Sequence, residues 1–317
     1  MRIHVIEPLA ISQNKITEIT ERFKTKGHII KFYPDRNENP DEIIKRSLGA
    51  QIIVFGNLPF PSQCVEALPD LKLVAVAFTG VDHVAVQTCR EKGISVCNAS
   101  GYSTINVAEL TVGLMIDVLR NVTRLDPVTR KGGTKDGLVG FDLSGKTVGI
   151  IGTGAIGMQV AKLLKGFDCK ILGFNKGKKT AAPELGIEYT SLDELLIQSD
   201  IVTLHCPLNE TTRGLIGDTQ FSMMKNSAYI INCARGPVID TKALVTALKT
   251  GKIAGAGIDV FDTEPPLQTD YELLKLENAI LTPHIAFATK EAFLRRADIV
   301  TDNIFCWIDG KPKSLIV

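Results

Sequence analysis

Three residues of this 317-residue sequence can together do acid-base and anion-binding chemistry: Arg235, Glu264 and His284. Each follows a short apolar run that reads as a β-strand. Arg235 comes after Ile231-Asn232-Cys233-Ala234, Glu264 after the stretch from Gly257 to Thr263, and His284 after Leu281-Thr282-Pro283. Doubly wound sheets bind their ligands at loops leaving the carboxyl ends of strands. A guanidinium stays charged and forks, so Arg235 can grip two oxygens of an acid at once. An imidazole gives or takes a proton near neutral pH. A carboxylate accepting from its second ring nitrogen orients it and favours its protonated form. Singly, each of these residue types is more often a surface ion pair, a cap or a solvated loop group; in this order they read as a catalytic set.

A second constellation is Gly152-Thr153-Gly154-Ala155-Ile156-Gly157, placed between a predicted strand, Thr147–Ile151, and a predicted helix, Ile156–Gly166. Gly152 permits the tight turn, Gly154 lets backbone approach a pyrophosphate, and Gly157 lets helix and strand pack closely. The helix start, at Ala155 and Ile156, offers free N–H groups and positive potential to phosphates. The next strand ends at Phe174-Asn175-Lys176-Gly177-Lys178-Lys179, where NAD binders normally carry an acid for the adenosine 2′-hydroxyl. Asn175 lacks the carboxylate that repels a 2′-phosphate, and Lys176 begins a basic run. NAD and NADP both stay open, because such a run is equally well a solvated loop.

The elements that must position these groups are legible as periodicity. Short β-branched runs alternate with amphipathic stretches along nearly the whole chain, the signature of parallel sheets with crossover helices. Strands are predicted at Ile3–Ile6, His28–Phe32, Ile52–Phe55, Leu73–Val76 and Ile94–Cys97, with helices at Gln13–Thr25 and Val84–Lys92. A long helix is predicted over Asn106–Arg124 and a loop over Arg130–Gly140. A denser series follows, with strands at Thr147–Ile151, Lys170–Phe174, Ile201–Leu204, Ala228–Asn232, Ala256–Val260 and Ala279–Thr282. Helices fit at Leu192–Ile197, Thr241–Lys249 and Lys290–Ile308. The last helix has no sheet left to join and is expected to return to the first unit.

Composition narrows the function classes. Lys and Arg total 36 against 35 Asp and Glu, a net charge of +1, which gives no reason to expect a nucleic-acid or membrane-surface partner. No run approaches the roughly 18 apolar residues of a membrane span, and Met1–Glu7 meets an acid too early for a secretory signal. Seven scattered cysteines contain no Cys-x-x-Cys pair, and they read as reduced, mostly buried residues of a cytoplasmic protein. No His, Cys, Asp or Glu set has metal-ligand spacing, so no metal is expected. His4, His28 and His83 read as structural.

Taken together, the sequence resembles the D-isomer-specific 2-hydroxyacid dehydrogenases. The matching segments are Phe78-Thr79-Gly80-Val81-Asp82, Val107-Ala108-Glu109, the glycine turn, Asn232–Gly236, Gly257–Pro265 and Thr282-Pro283-His284-Ile285-Ala286. The resemblance implies a flavodoxin-like substrate domain over residues 1–100 and a Rossmann dinucleotide-binding domain over 101–289, with 290–317 returning to the first. It implies a hydride transfer between NAD(P)H and a small 2-oxo acid or D-2-hydroxy acid in a cleft between the domains. Arg235 would hold the carboxylate and carbonyl, His284 would act as acid and base, and Glu264 as its partner. Backbone N–H groups of Gly80 and Val81 would complete the carboxylate site. Asp259, Cys233 and Ala234 would meet the nicotinamide end, and His205-Cys206-Pro207 would flank the adenosine. A homodimer formed through the nucleotide domain is implied as well.

Departures from the family pattern narrow the substrate. The stretch Val74-Ala75-Val76-Ala77-Phe78 lacks the arginine that phosphoglycerate enzymes usually carry there, which favours a small unphosphorylated acid. The Arg130–Gly140 loop lacks the tryptophan often seen in it; the only tryptophan is Trp307. Formate dehydrogenase shares the expected architecture but not the glutamate partner. A nucleotide-sensing, corepressor-like binding protein keeps all three residues, and turnover separates it from an enzyme.

Overall fold

The structure is a computed structural model that describes residues 1–175, 183–264 and 266–317. It divides into two compact units, Met1–Ser103 with Ala288–Val317, and Thr104–Phe287. The first unit runs β1 (Arg2–Val5), α1 (Gln13–Thr25), β2 (Ile29–Phe32), α2 (Pro40–Ser47), β3 (Ile52–Phe55), α3 (Ser62–Glu66), β4 (Leu73–Val76), α4 (Val86–Glu91) and β5 (Ser95–Asn98). Its sheet order is β2-β1-β3-β4-β5, parallel throughout. That is the flavodoxin-like order. β3 and β4 are buried at every position, as β-branched strands covered on both faces must be.

The second unit begins with α5 (Thr104–Arg120) and α6 (Val122–Arg130), then β6 (Thr147–Ile151), α7 (Ala155–Leu164), β7 (Lys170–Phe174) and β8 (Ile187–Tyr189). It continues with α8 (Leu192–Gln198), β9 (Ile201–Leu204), α9 (Asp218–Met223), β10 (Tyr229–Asn232), α10 (Thr241–Lys249), β11 (Gly255–Ile258) and β12 (Ala279–Leu281). The sheet order β12-β11-β10-β9-β6-β7-β8 is again parallel and carries the Rossmann reversal between β6 and β9. Apolar side chains from both faces pack under α5 and α7 on one side and α8, α9 and α10 on the other.

The last helix, α11 (Lys290–Ile308), belongs to the first unit. Thr289 caps it by accepting from Ala292 N, Phe305 stacks on Phe23 of α1 with ring centroids 4.5 Å apart, and Asn303 donates to Asn98 O at 2.8 Å.

Local expectations need correction at several places. The single helix predicted over Asn106–Arg124 is two. Asn121 adopts the left-handed conformation at φ 55°, which asparagine tolerates, and Asp117 accepts from Thr123 N at 2.8 Å to start α6. Helix therefore extends to Arg130, and the loop begins only after it. α2, α3 and α9 were not expected, although Asn39 caps α2 and Pro40 opens it. β8, Ile187-Glu188-Tyr189, alternates but has only three residues, too short a run to read.

Candidate active site

The glycine turn joins β6 to α7. Gly152 sits at φ 95°, and a Cβ there would meet Cys206 N at 2.6 Å. A Cβ on Gly157 would stand 2.2 Å from Gly152 O. Both positions therefore require glycine for packing alone. Gly154 does not: its φ is −76°, and a Cβ would touch nothing within 4 Å. No side chain caps α7, and Gly154 and Ala155 are exposed, with Ile156 half-buried behind them. An uncapped helix start behind an unobstructed glycine is the cradle a dinucleotide pyrophosphate needs, so the residues present fit that group.

Asn175 follows β7, the strand beside β6. Lys176 and the basic run behind it lie outside the described residues, as does Pro265. After β9, His205 donates its backbone N–H to Ile151 O at 2.7 Å, which lays the His205-Cys206-Pro207 segment against the glycine turn. Its ring places Nε2 2.9 Å from Thr203 Oγ1, while Nδ1 is buried without a partner. Burial pushes this imidazole down to about 3.

Arg235 is held by the backbone around it. Asn232 accepts from Ala234 N at 3.0 Å and donates to Arg235 O at 2.9 Å, closing the turn after β10. Gly236 then allows contact with the loop after β11, where a Cβ would stand 1.9 Å from Phe261 C and O. The Arg235 loop and the segment leading to Glu264 are thereby locked together. Cys233, at the same strand end, is buried, and burial beside Asp259 pushes its thiol up to about 12.

Glu264 Oε2 lies 2.6 Å from His284 Nδ1. A carboxylate only accepts, so Nδ1 carries the proton and Nε2 remains to exchange one with a ligand. The ring packs edge-on against Phe287 with centroids 5.2 Å apart. His284 adopts φ 55°, an uncommon conformation for a residue with a Cβ and one that must be held by its surroundings. Asp259, fully buried, does so: it accepts from Thr282 Oγ1 at 2.6 Å, Ile285 N at 2.8 Å and Ala286 N at 2.9 Å. Burial raises the Asp259 carboxyl above its ordinary value, against the opposing effect of these bonds. Asn106 of α5 adds a bond to Ala286 O at 2.7 Å.

The structure thus brings Glu264, His284 and Asp259 into one network and fixes Arg235 on the neighbouring loop. Gly80 and Val81 follow β4 in the first unit, where Asn98 donates to Thr79 O at 2.7 Å. Sequence reading gave no role to Asn232, Gly236 or Thr282 and did not single out Asn106 or Phe287; only the Asn-x-x-Arg-Gly spacing signals a side-chain-closed turn. Among the described residues no group of His, Cys, Asp and Glu could hold a metal ion, and no helix is long and apolar enough to cross a membrane.

A parallel sheet with a glycine turn at its reversal and a hydrogen-bonded Glu–His pair beyond its carboxyl edge has the architecture of a dinucleotide-binding domain. Residues 112–286 match the family described as D-isomer specific 2-hydroxyacid dehydrogenase, NAD binding domain. The chain is 41% identical over 265 residues to the glyoxylate reductase of Thermofilum pendens, covering 80% of this chain and 77% of that one. It is 39% identical over 287 residues to the glycerate dehydrogenase of Methylorubrum extorquens, covering 87% and 88%. A solved acyclic imino acid reductase in complex with NADPH and D-Arg superposes with a TM-score of 0.91 at 29% identity, covering 100% of both chains. The chain belongs to the D-isomer specific 2-hydroxyacid dehydrogenase family: it is an NAD(P)-dependent oxidoreductase acting on 2-oxo and 2-hydroxy acids.

Proposed function

We propose that the protein interconverts a small 2-oxo acid and its D-2-hydroxy acid, with Arg235, Glu264 and His284 as its catalytic residues. The observation that carries this reading is the 2.6 Å contact between Glu264 and His284 on a loop clamped by Asp259. When bound, the nicotinamide supplies the hydride that adds to C2 of the oxo acid. His284 gives its Nε2 proton to the C2 oxygen as that oxygen becomes a hydroxyl, and takes it back in oxidation. Glu264 keeps the imidazole in the tautomer and orientation this needs. Arg235 forks across the carboxylate and the carbonyl oxygen, and Gly80 and Val81 offer backbone N–H groups to the same carboxylate.

Gly152, Gly154, Ala155, Ile156 and Gly157 would hold the pyrophosphate, and Asn175 with Lys176 the adenosine ribose or its 2′-phosphate. His205, Cys206 and Pro207 would flank the adenosine; Cys233, Ala234 and the Asp259 loop would border the nicotinamide. The domain roles follow, with the first unit binding substrate and the second the dinucleotide. A cytoplasmic homodimer completes the reading. Its support is the exposure of Ile105, Val122, Val139 and Phe141 on the second unit, an apolar set that a second copy would cover. A monomer in light scattering would end that part.

The test is oxidation of NADH and NADPH with glyoxylate, hydroxypyruvate, pyruvate and phenylpyruvate. Turnover of one or more supports the reading, and the cofactor ratio reports on Asn175 and Lys176. Silence with every pair, in protein shown to bind the cofactor, points instead to a substrate outside these four or to a nucleotide sensor.

A further inference from the structure

The loop that leaves β4 for α4 carries Gly80 and Val81, the residues given above to the substrate carboxylate. Thr79 and Asp82 are exposed, and Gly80 and Val81 are half-buried, so this stretch has little core of its own to hold it. Among the described residues no hydrogen bond takes up the N–H of Gly80 or of Val81. Two adjacent donors left unspent serve an anion well only where the backbone around them keeps its shape.

Two side chains supply that shape, one on each side. Ahead of Gly80, Asn98 Nδ2 donates to Thr79 O at 2.7 Å. Asn98 ends β5, the strand beside β4, and its remaining polar groups are all committed. Its N–H donates to Ser314 O at 3.1 Å, its carbonyl accepts from Asn303 Nδ2 of α11 at 2.8 Å, and its Oδ1 accepts from Ser100 N at 3.2 Å. The buried amide is thereby fixed, and it fixes Thr79 in turn. Beyond Val81, His83 Nε2 lies 2.9 Å from Gly56 O. A carbonyl only accepts, so Nε2 carries the proton and donates. Gly56 follows β3, on the other side of β4, and its N–H donates to the buried Glu7 carboxylate at 2.5 Å. The His83 ring meets Phe55 edge-on with centroids 6.0 Å apart, and its backbone O accepts from Phe60 N at 2.9 Å. The loop is moored to both strands that flank β4, once before its two unspent N–H groups and once after them.

We propose that Asn98 and His83 are positioning residues of the substrate site: they hold the Gly80 and Val81 N–H groups in place for the carboxylate, and so set the affinity for the oxo acid. Each bond is modest by itself, but losing one releases a short, exposed loop. Donors that must be ordered at the moment of binding hold an anion less tightly than donors already in place. The effect falls on the oxo acid rather than on the proton held at His284 or on the nucleotide, because those belong to residues of the second unit. This inference rests on the role given above to Gly80 and Val81.

The test is steady-state kinetics of His83→Phe, His83→Gln and Asn98→Ala with an acid that the wild type turns over. Beside it stands the dissociation constant of oxamate, a 2-oxo acid mimic that is not reduced, measured by calorimetry in the presence of NADH. His83→Phe keeps a ring against Phe55 and loses the donor; His83→Gln carries an amide nitrogen the same number of bonds from Cβ and keeps it. His83→Phe and Asn98→Ala are expected to raise KM for the acid and the oxamate constant by about tenfold, with KM for NADH within about twofold of wild type. His83→Gln is expected to stay near wild type. Folded His83→Phe and Asn98→Ala with unchanged KM for the acid and unchanged oxamate affinity overturn the proposal and leave the dehydrogenase reading intact; so does a change that KM for NADH shares. Should Asn98→Ala fail to fold, the two His83 variants decide. If no acid is turned over, the oxamate constants decide, and wild type that binds no oxamate overturns both this proposal and the role given to Gly80 and Val81.

Discussion

Glu264 Oε2 and His284 Nδ1 stand 2.6 Å apart although the two residues leave different strands, β11 and β12, and His284 reaches the contact only by taking a left-handed backbone conformation. The pairing leaves the opposite ring nitrogen, Nε2, for the substrate. His284→Ala is expected to cut turnover by roughly 10²–10⁴-fold while leaving nucleotide binding nearly intact. Glu264→Gln, which keeps the shape but not the charge, should lower kcat by about 10–10²-fold with little change in the KM for the cofactor. Steady-state kinetics with a fluorescence titration of NADH checks both; near-wild-type turnover in His284→Ala would remove the role given to it.

Asp259 is the scaffold of that loop, since its two oxygens serve Thr282 Oγ1, Ile285 N and Ala286 N. Asp259→Asn sets an amide N–H₂ against donors and leaves at least one of them unmet. We expect a loss of about 1–3 kcal/mol in urea unfolding together with a tenfold or larger fall in kcat. Unfolding and kcat both matching the wild type would mean that His284 is held by something else.

The glycines of the turn separate packing from ligand binding. Gly157→Ala must push a methyl group into Gly152 O, so it should destabilise the fold measurably. Gly154→Ala places its methyl in open space and should leave the unfolding midpoint within about 0.5 kcal/mol of wild type. Its effect should appear instead as a tenfold or greater rise in the dissociation constant for NADH. Unchanged NADH affinity in Gly154→Ala would argue against a pyrophosphate at this turn.

His205 carries a pH dependence of known sign. Its native imidazole is pushed down to about 3 from the ordinary 6.5, so between those values the unfolded chain binds a proton that the native protein refuses. Stability then rises with pH across this window: the contribution is fully present above about pH 6.5 and is lost as pH falls, by up to about 1.4 kcal/mol per unit. Chemical denaturation between pH 4 and 7 should show this slope in the wild type and a shallower one in His205→Asn. Identical slopes would rule the group out as its source.

What the sequence by itself determined is local and periodic. Runs such as Ile52–Phe55 and Leu73–Val76 are apolar at every position because parallel strands are covered on both faces, so they announce themselves. The glycine turn is legible because strand, glycines and helix are contiguous, and Arg235, Glu264 and His284 because each stands in the loop that leaves a strand. Tertiary structure decided whatever depends on residues distant in the chain. Asp259 gives no sign in the sequence that it holds the His284 loop, nor Gly236 that it meets the Phe261 carbonyl; those contacts exist only once neighbouring parallel strands bring their loops side by side. The break at Asn121 turned on a side-chain bond from Asp117 that periodicity does not register. Arg296 looks like one more charge on an amphipathic helix, and only the return of α11 to the first sheet buries it beside Leu9 and Tyr102, because burial and charge pairing belong to the folded surface rather than to the order of residues.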